Sequence, residues 1–332
     1  MGQIRIALLG CGGMGGAHMT RLRKCADAQV VALCDVSAEC IEKILAGPLA
    51  GYEPRPQTFT DAAEMYATAA PDAVIIVTPH TMHFAHGMQA LAAGCHVLME
   101  KPMVTDSRQG AELADAASRS GKIFIVGYNT PCMPSFQYLR ELIRSRKLGR
   151  LETVTGWQVQ DWRRLAAGTW RQDPALSGGG QMYDSGAHLF NSLVWSIEQP
   201  VTEVAAFVDN LDTAVDINGV VSIRFEDGTL ASISISGNST PDGAGMVFVF
   251  ENGRVEIDGW AGAWIRVFER DKGQVEPSLT GDEQTATDNF IDAILGRAKP
   301  QTTPETGLIQ SRLMDAIYES ARTQTIVKIR HQ

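Results

Sequence analysis

The sequence predicts an α/β protein in two parts. Residues 1–127 form a doubly wound parallel sheet, and residues 128–332 form an α+β domain with a large open, mostly antiparallel sheet. Three observations predict this. Short Val- and Ile-rich runs alternate with helical stretches through the first part; after about Asn129 strand-like runs follow one another without helices between them; and 332 residues correspond to about two domains.

The first strand candidates are Ile4 to Leu9, Val30 to Cys34, Ala73 to Val77, His96 to Met99 and Ile123 to Val126. Each is apolar at successive positions, as a parallel strand covered on both faces requires. The helical stretches between them are Gly13 to Cys25, Glu39 to Leu45, Asp61 to Ala69 and Gln109 to Ser120. Strand–helix–strand repetition implies right-handed crossovers. In the second part a helix over Ser135 to Lys147 leads into an alternating run, Leu151 to Gln160. A loop rich in Gly, Trp and Arg and a helix over Gln181 to Ser196 precede strands at Val204 to Val208, Val220 to Phe225, Leu230 to Ser236, Met246 to Phe250, Val255 to Ile257 and Trp264 to Phe268. Asp227-Gly228 and Asn252-Gly253 mark hairpins. Helices over Thr285 to Leu295 and Pro304 to Arg322 and a short run, Ile326 to Ile329, close the chain. In the sheet, Val247, Val249, Ile257 and Ile265 read as outward apolar residues, and an uncovered apolar face implies a homodimer or homotetramer.

Composition excludes several classes. The net charge is −9, with 44% hydrophobic and 20% charged residues. An acidic total argues against a nucleic-acid partner, and the apolar content excludes wholesale disorder. No apolar run reaches the roughly 18 residues that span a bilayer, and the opening residues lack a charged, apolar, cleavable leader. The six cysteines are scattered without a C-x-x-C pair, so reduced thiols in a cytoplasmic protein are expected.

Gly10-Cys11-Gly12-Gly13-Met14-Gly15 fits G-x-G-x-x-G, directly after a strand and at the start of a helix. In that context the glycines permit a tight turn, close approach of a pyrophosphate, and close helix–strand packing, with the helix N-terminus facing the anion. This is the signature of a Rossmann domain. Asp35 lies 20 residues past Gly15, where a carboxylate accepts from both ribose hydroxyls and repels a 2′-phosphate. NAD is therefore the expected cofactor. Lys43 keeps NADP open, and a helix-capping role for Asp35 is compatible with cofactor binding.

Glu100-Lys101-Pro102 ends a parallel strand, the place where open α/β sheets bind ligands, and the X–Pro bond stiffens that exit. Farther on, Gly178-Gly179-Gly180 opens a helix that carries Asp184 and His188, four apart and so expected on one face. A helix-surface hydrogen bond or a buried His with its partner would also explain that pair. With Thr78-Pro79 and His83, Trp170-Arg171, and the segments around Pro300 and Glu305 to Ser320, the chain resembles the glucose-fructose oxidoreductase, inositol dehydrogenase and MocA (Gfo/Idh/MocA) family along its whole length.

That resemblance implies hydride transfer between a nicotinamide and a secondary alcohol of a sugar, sugar acid or cyclitol, with Lys101, Asp184 and His188 as the catalytic set. The chemistry agrees. Oxidising a carbinol releases a hydride and a proton, and an imidazole with an ordinary pKa of roughly 6.5 suits the proton. Lys101 would orient the hydroxyl and stabilise alkoxide charge. Asp184 could bind a neighbouring hydroxyl, orient His188 or keep Lys101 charged, and the sequence does not separate these roles. The implied cofactor contacts are Gly10, Gly12, Gly13, Met14, Gly15, Asp35, Thr78, Pro79, His83, Glu100, Lys101, Asn129, Trp170 and Arg171. The implied substrate contacts are Lys101, Trp162, Arg163, Asp184, His188 and Asn191. The tryptophans read equally as core residues. Asn191 stands where many members have an acid, and Thr130-Pro131-Cys132 replaces an Arg-rich stretch; both departures bear on the substrate. His80, His83 and His86 are three apart, but no acid or Cys accompanies them, and no metal is expected. Two other functions on this scaffold are a redox-neutral glycosidase using NAD transiently and a dinucleotide-sensing regulator. Retention of a proton-transfer set argues against the regulator.

Overall fold

The computed structural model describes residues 2–329, and the chain divides into two compact units. The first unit comprises the chain up to Val104, Arg108–Gly127 and Ala286–Glu305; the second comprises Thr105–Ser107, Tyr128–Thr285 and the chain from Thr306 onward.

In the first unit six parallel strands run β1 (Ile4–Leu9), β2 (Ala28–Cys34), β3 (Gln57–Phe59), β4 (Ala73–Ile76), β5 (His96–Met99) and β6 (Phe124–Val126). Their spatial order is β3-β2-β1-β4-β5-β6, so the order reverses between β1 and β4. In a doubly wound sheet that reversal opens a crevice at the carboxyl ends of the strands. Side chains of β1 and β4 at positions such as Ile6, Leu8 and Ile75 are wholly buried, because helices cover both faces. Ser37 and Asp61 cap the helices Ala38–Ala46 and Ala62–Ala69 by accepting from Cys40 N and Glu64 N. Residues 286–305 depart from the division expected at residue 127. The helix Ala286–Ile294 buries Ala286, Phe290, Ile291 and Ala293 in the core of the first unit, with Ile4, Leu98 and Ile125. Its apolar stripe needs an apolar surface, and the parallel sheet supplies one.

The second unit holds nine strands: β7 (Leu151–Val159), β8 (Val201–Asp209), β9 (Asn218–Phe225), β10 (Leu230–Ser236), β11 (Gly243–Phe250), β12 (Gly253–Ile257), β13 (Ile265–Glu269), β14 (Gly273–Val275) and β15 (Val327–Lys328). Their order is β14-β13-β12-β11-β7-β10-β9-β8-β15, and every pair is antiparallel except β7 with β10. β9 alternates strictly, with Val221, Ile223 and Phe225 buried and Val220, Ser222 and Arg224 exposed. The buried face packs on the helices Pro134–Ser145, Gly186–Ile197 and Pro304–Thr323 through Leu139, Phe190 and Ile317, each wholly buried.

The other face is open. Across it the register sets Phe207 opposite Val220, Val220 opposite Ser234, and Ser234 opposite Trp157. Phe207 is 77% exposed, Val220 48% and Trp157 46%. The outward set expected from the sequence needs correcting. Val249 is exposed and Val247 half-buried, but Ile257 is wholly buried and Ile265 packs against the core. Val247 lies opposite Glu256, so Ile257, one position on, points inward.

Candidate active site

The glycine turn is built by close backbone approach. Gly10 has φ +98°, and a Cβ there would lie 2.9 Å from both the carbonyl carbon and oxygen of Val77, at the end of β4. A Cβ on Gly15 would lie 2.7 Å from Gly10 O, whereas at Gly12 and Gly13 it would meet nothing within 4 Å. The turn is thus closed towards the sheet and open on its other side. The helix Gly13–Leu22 starts there with no side-chain cap and no acid in its first turn, and Met14 beside it is exposed. Uncapped amides in front of open space suit an anion, so these residues fit a dinucleotide pyrophosphate.

Asp35 sits on this turn. Its Oδ2 accepts from Cys11 N at 2.6 Å and its Oδ1 from Ser37 N at 2.8 Å. Two charge-assisted bonds fix the carboxylate, and each oxygen keeps a lone pair for a ribose hydroxyl. Beyond it Val36 is exposed, Ser37 caps a helix, and Lys43 pairs with Glu39 at 2.7 Å. Burial and the neighbouring Asp35 push the Cys11 thiol far above its ordinary pKa, which makes it a packing group. All six cysteines are free.

At the exits of β4 and β5 the polar side chains brace backbone. Thr78 Oγ1 bonds His86 Nδ1 at 2.9 Å. His83 is wholly buried, with Nδ1 2.7 Å from Pro102 O and Nε2 2.8 Å from Thr78 O. Burial lowers its pKa, against the two carbonyls that favour the cation. A ring with no exposed surface cannot touch a cofactor. His83 therefore ties Thr78 to the turn after Lys101, which corrects its expected role as a direct contact. Pro79 is half-buried beside it, and the Lys101–Pro102 bond is cis. Glu100 is buried; its Oε1 pairs with His18 Nε2 at 3.0 Å, and its Oε2 accepts from Lys101 N at 3.2 Å. His18 Nδ1 in turn meets Thr287 Oγ1 at 2.8 Å. Glu100 is thus an internal anchor under Lys101 rather than an open cofactor contact. Lys101 itself is half-buried.

In the second unit the three-glycine turn is held by a buried carboxylate. Asp216 accepts from Gly180 N at 2.6 Å, Met182 N at 2.7 Å and Tyr318 OH at 2.5 Å. Burial raises its pKa, and those three bonds oppose the rise. A Cβ on Gly180 would lie 2.0 Å from Asp216 O, so only glycine fits. The turn then presents Asp184, whose Oδ2 accepts from Trp162 Nε1 at 2.8 Å and Arg171 Nε at 3.0 Å. Trp162 is buried with Ala166, Val215 and Ile217, so it packs as core while its indole N–H serves Asp184. Trp170 is half-buried, with the Arg171 guanidinium over its ring at 4.6 Å.

The expected common helical face of Asp184 and His188 does not form. Residues 181–185 are turns, with Gly186 N bonded to Gln181 O, and the helix begins at Gly186. His188, half-buried, packs edge-on against Tyr128 at 5.7 Å and against Trp260 at 4.7 Å between ring centres. Asn191 is wholly buried and donates to Gln310 Oε1 at 3.2 Å, so it does not reach a substrate as expected. Helix position 191 faces the core, as Leu189, Phe190 and Leu193 do. Arg163 pairs with Asp212, and Asn129 is half-buried at the start of a 3-10 turn.

Sequence reasoning missed His18, Asp216, Tyr318, Tyr128 and Trp260. His18 stands one helical turn past Gly15 and was the readable signal; the others lie in loops and helices remote in sequence from their partners. Among the described residues no group of three or more His, Cys, Asp or Glu could hold a metal, and no helix is long and apolar enough to cross a membrane.

Comparison with known proteins places the chain. Residues 4–128 match the oxidoreductase family with NAD-binding Rossmann fold (Gfo/Idh/MocA), and residues 136–263 match the Gfo/Idh/MocA C-terminal domain. D-glucoside 3-dehydrogenase of Escherichia coli is 24% identical over 98% of this chain and 97% of its own. A scyllo-inositol 2-dehydrogenase (NADP(+)) of Bacillus subtilis is 25% identical over 78% of this chain and 79% of its own. The crystal structure of the WlbA dehydrogenase of Chromobacterium violaceum, in complex with NADH and UDP-GlcNAcA, is 26% identical with a TM-score of 0.85, covering 99% of this chain and 97% of that one. The chain belongs to the Gfo/Idh/MocA family of NAD-binding oxidoreductases.

Proposed function

We propose that this enzyme is an NAD-dependent dehydrogenase that oxidises a secondary alcohol on a sugar, sugar acid or cyclitol, with Lys101 and His188 acting on the carbinol. The observation that carries the reading is the pair of prepared sites in one chain. Asp35 is locked on the glycine turn, and an imidazole is held by aromatic rings close in sequence to a buried, ion-paired carboxylate. Preference for NAD rests on Asp35 and on the cations around it: Lys43, the candidate for a 2′-phosphate, is paired with Glu39. Bound NAD supplies the hydride acceptor. The Lys101 ammonium orients the hydroxyl and stabilises the negative charge that develops on its oxygen. His188 takes the hydroxyl proton, and its packing against Tyr128 and Trp260 limits the ring to few orientations. Asp184, bonded by Trp162 and Arg171, serves best as the fixed acceptor for a neighbouring substrate hydroxyl.

We also propose a homodimer or homotetramer through the open face of the nine-stranded sheet, because Phe207 and Val220 stand exposed opposite each other there, with exposed Trp157 beyond Ser234 in the same row.

The test is a panel of inositols, aldoses and their acids scored by NADH absorbance, with Lys101→Met and His188→Ala as variants. Removing a well-placed acid–base group costs on the order of 10²–10⁴ in turnover. NAD affinity, which rests on Gly10 to Gly15 and Asp35, should change far less. Near-normal turnover in His188→Ala removes it as the base, and loss of NAD binding in folded Lys101→Met makes Lys101 chiefly a cofactor ligand.

A further inference from the structure

Trp260 does more than pack on His188. It is also one wall of a pocket of about 200 Å³ in the second unit, lined by Gln158, Gln160, Asp242 and Asp258. That is far more than the roughly 10–15 Å³ one water needs, so the pocket has room for a small ring-sized ligand.

The polar groups of this pocket are incompletely used. Asp242 Oδ1 accepts from Asp161 N at 3.1 Å. Asp258 accepts from three amides: Trp260 N at 3.0 Å, Ala261 N at 3.2 Å and Ala263 N at 3.1 Å. Both therefore bond only backbone, and among the described residues neither carboxylate meets a Lys or Arg within 4.0 Å. The arginines of the neighbouring loop are committed elsewhere, Arg163 to Asp212 and Arg164 to Asp161. The pocket thus carries two negative charges without side-chain counter-ions.

A second observation points to a ligand. Gln158 is 1% exposed and gives its Nε2 to Gln160 Oε1 at 3.2 Å, but its own Oε1 has no hydrogen-bond partner. Gln181, wholly buried and outside the pocket lining, gives its Nε2 to the same Gln160 oxygen at 3.0 Å and so helps hold the Gln160 amide in place. An unpaired buried acceptor costs stability, and the Gln158 oxygen belongs to a residue that lines the pocket, so it marks a place where a donor fits. Exchanging O and N in the three amides only converts missing donors into missing acceptors. A hydroxyl, which donates and accepts, satisfies either arrangement.

We propose that this pocket is a specificity subsite for the substrate ring. It takes a polyhydroxylated ring that is neutral or bears an ammonium group, and it disfavours rings bearing a carboxylate or phosphate. Gln158 and Gln160 bind hydroxyls, the exposed part of Trp260 covers a C–H face, and Asp242 and Asp258 set the charge preference. This narrows the dehydrogenase reading above and rests on it for the place of the reacting carbon.

The test measures calorimetric binding of D-glucosamine, D-glucose, D-glucuronate and glucose 6-phosphate to the NAD-loaded protein, alongside NADH formation. The expected order is glucosamine, then glucose, then the two anions. Asp242→Asn keeps the oxygen that accepts from Asp161 N and removes the charge. It should shrink the glucosamine-to-glucuronate ratio by about fivefold, the effect of one partly screened charge pair. Equal or tighter binding of glucuronate or glucose 6-phosphate overturns the proposal, as does an unchanged ratio in Asp242→Asn or failure of all four sugars to bind. The expected binding order without NADH formation would sustain the subsite and remove the dehydrogenase reading instead.

Discussion

Asp216 offers the sharpest test of how the second unit presents its functional residues. Its carboxylate is 2% exposed and receives three donors, the amides of Gly180 and Met182 and the Tyr318 hydroxyl. Leaving a buried donor unsatisfied costs about 1–3 kcal/mol, so Asp216→Ala should lose about 3–9 kcal/mol in all. Against a typical domain stability of about 5–15 kcal/mol that can abolish folding. Asp216→Asn is therefore the measurable change. Its oxygen can keep Gly180 N and Tyr318 OH, which share Oδ1, while its NH₂ faces the Met182 amide; one bond is lost, for about 1–3 kcal/mol. Urea denaturation with a common m-value measures it. The pH dependence supplies a second check. Burial raises the Asp216 pKa above 3.8, so the folded state holds this proton more tightly than the unfolded chain. The wild type should lose stability relative to Asp216→Asn as pH rises from 3.8 through the raised value, and the difference should then level off. A cost under about 0.5 kcal/mol, or a wild-type advantage that grows with pH over that window, would refute the account.

Three other outcomes follow from the geometry. Asp35→Ser should weaken NAD binding and relax discrimination against NADP in fluorescence titrations; tighter binding of NADP than NAD by the wild type would reverse the argument from the Asp35–Cys11 bond. His18→Ala removes the buried partner of Glu100 and should cost about 1.5–3 kcal/mol in chemical denaturation, the worth of a hydrogen bond to a charged group. Phe207→Glu puts a charge on the exposed row of the open sheet and should shift light-scattering mass towards the monomer; a wild type that is monomeric at every concentration would end the oligomer proposal.

What was legible in the sequence was whatever rests on local pattern. Unbroken Val and Ile runs declared five of the six parallel strands, and the glycine turn stood where strand and helix meet. β3 escaped because Gln57-Thr58-Phe59 is an edge strand with two of its three residues exposed, and β14 escaped because Gly273-Gln274-Val275 buries none. For the candidate site the sequence supplied residue types but not their geometry. Spacing alone put Asp184 and His188 on one helix face, but that inference assumes a helix begun at Gln181. The segment makes one helical bond, Asp184 N to Gly180 O, but Gly186 N then reaches back five residues to Gln181 O, so the turn is not continued and the helix begins at Gly186. Asp216, which holds this turn through Gly180 N and Met182 N, lies 36 residues from Gly180, beyond any local window. Asn191 fails for a related reason: its position matched a motif, while its burial depends on Gln310, 119 residues away. A motif thus names candidate groups for a site. Exposure is decided by partners the motif does not contain: Glu100 is buried against His18, Asn191 against Gln310, and His83 between the carbonyls of Thr78 and Pro102, while Lys101 and His188 are half-buried.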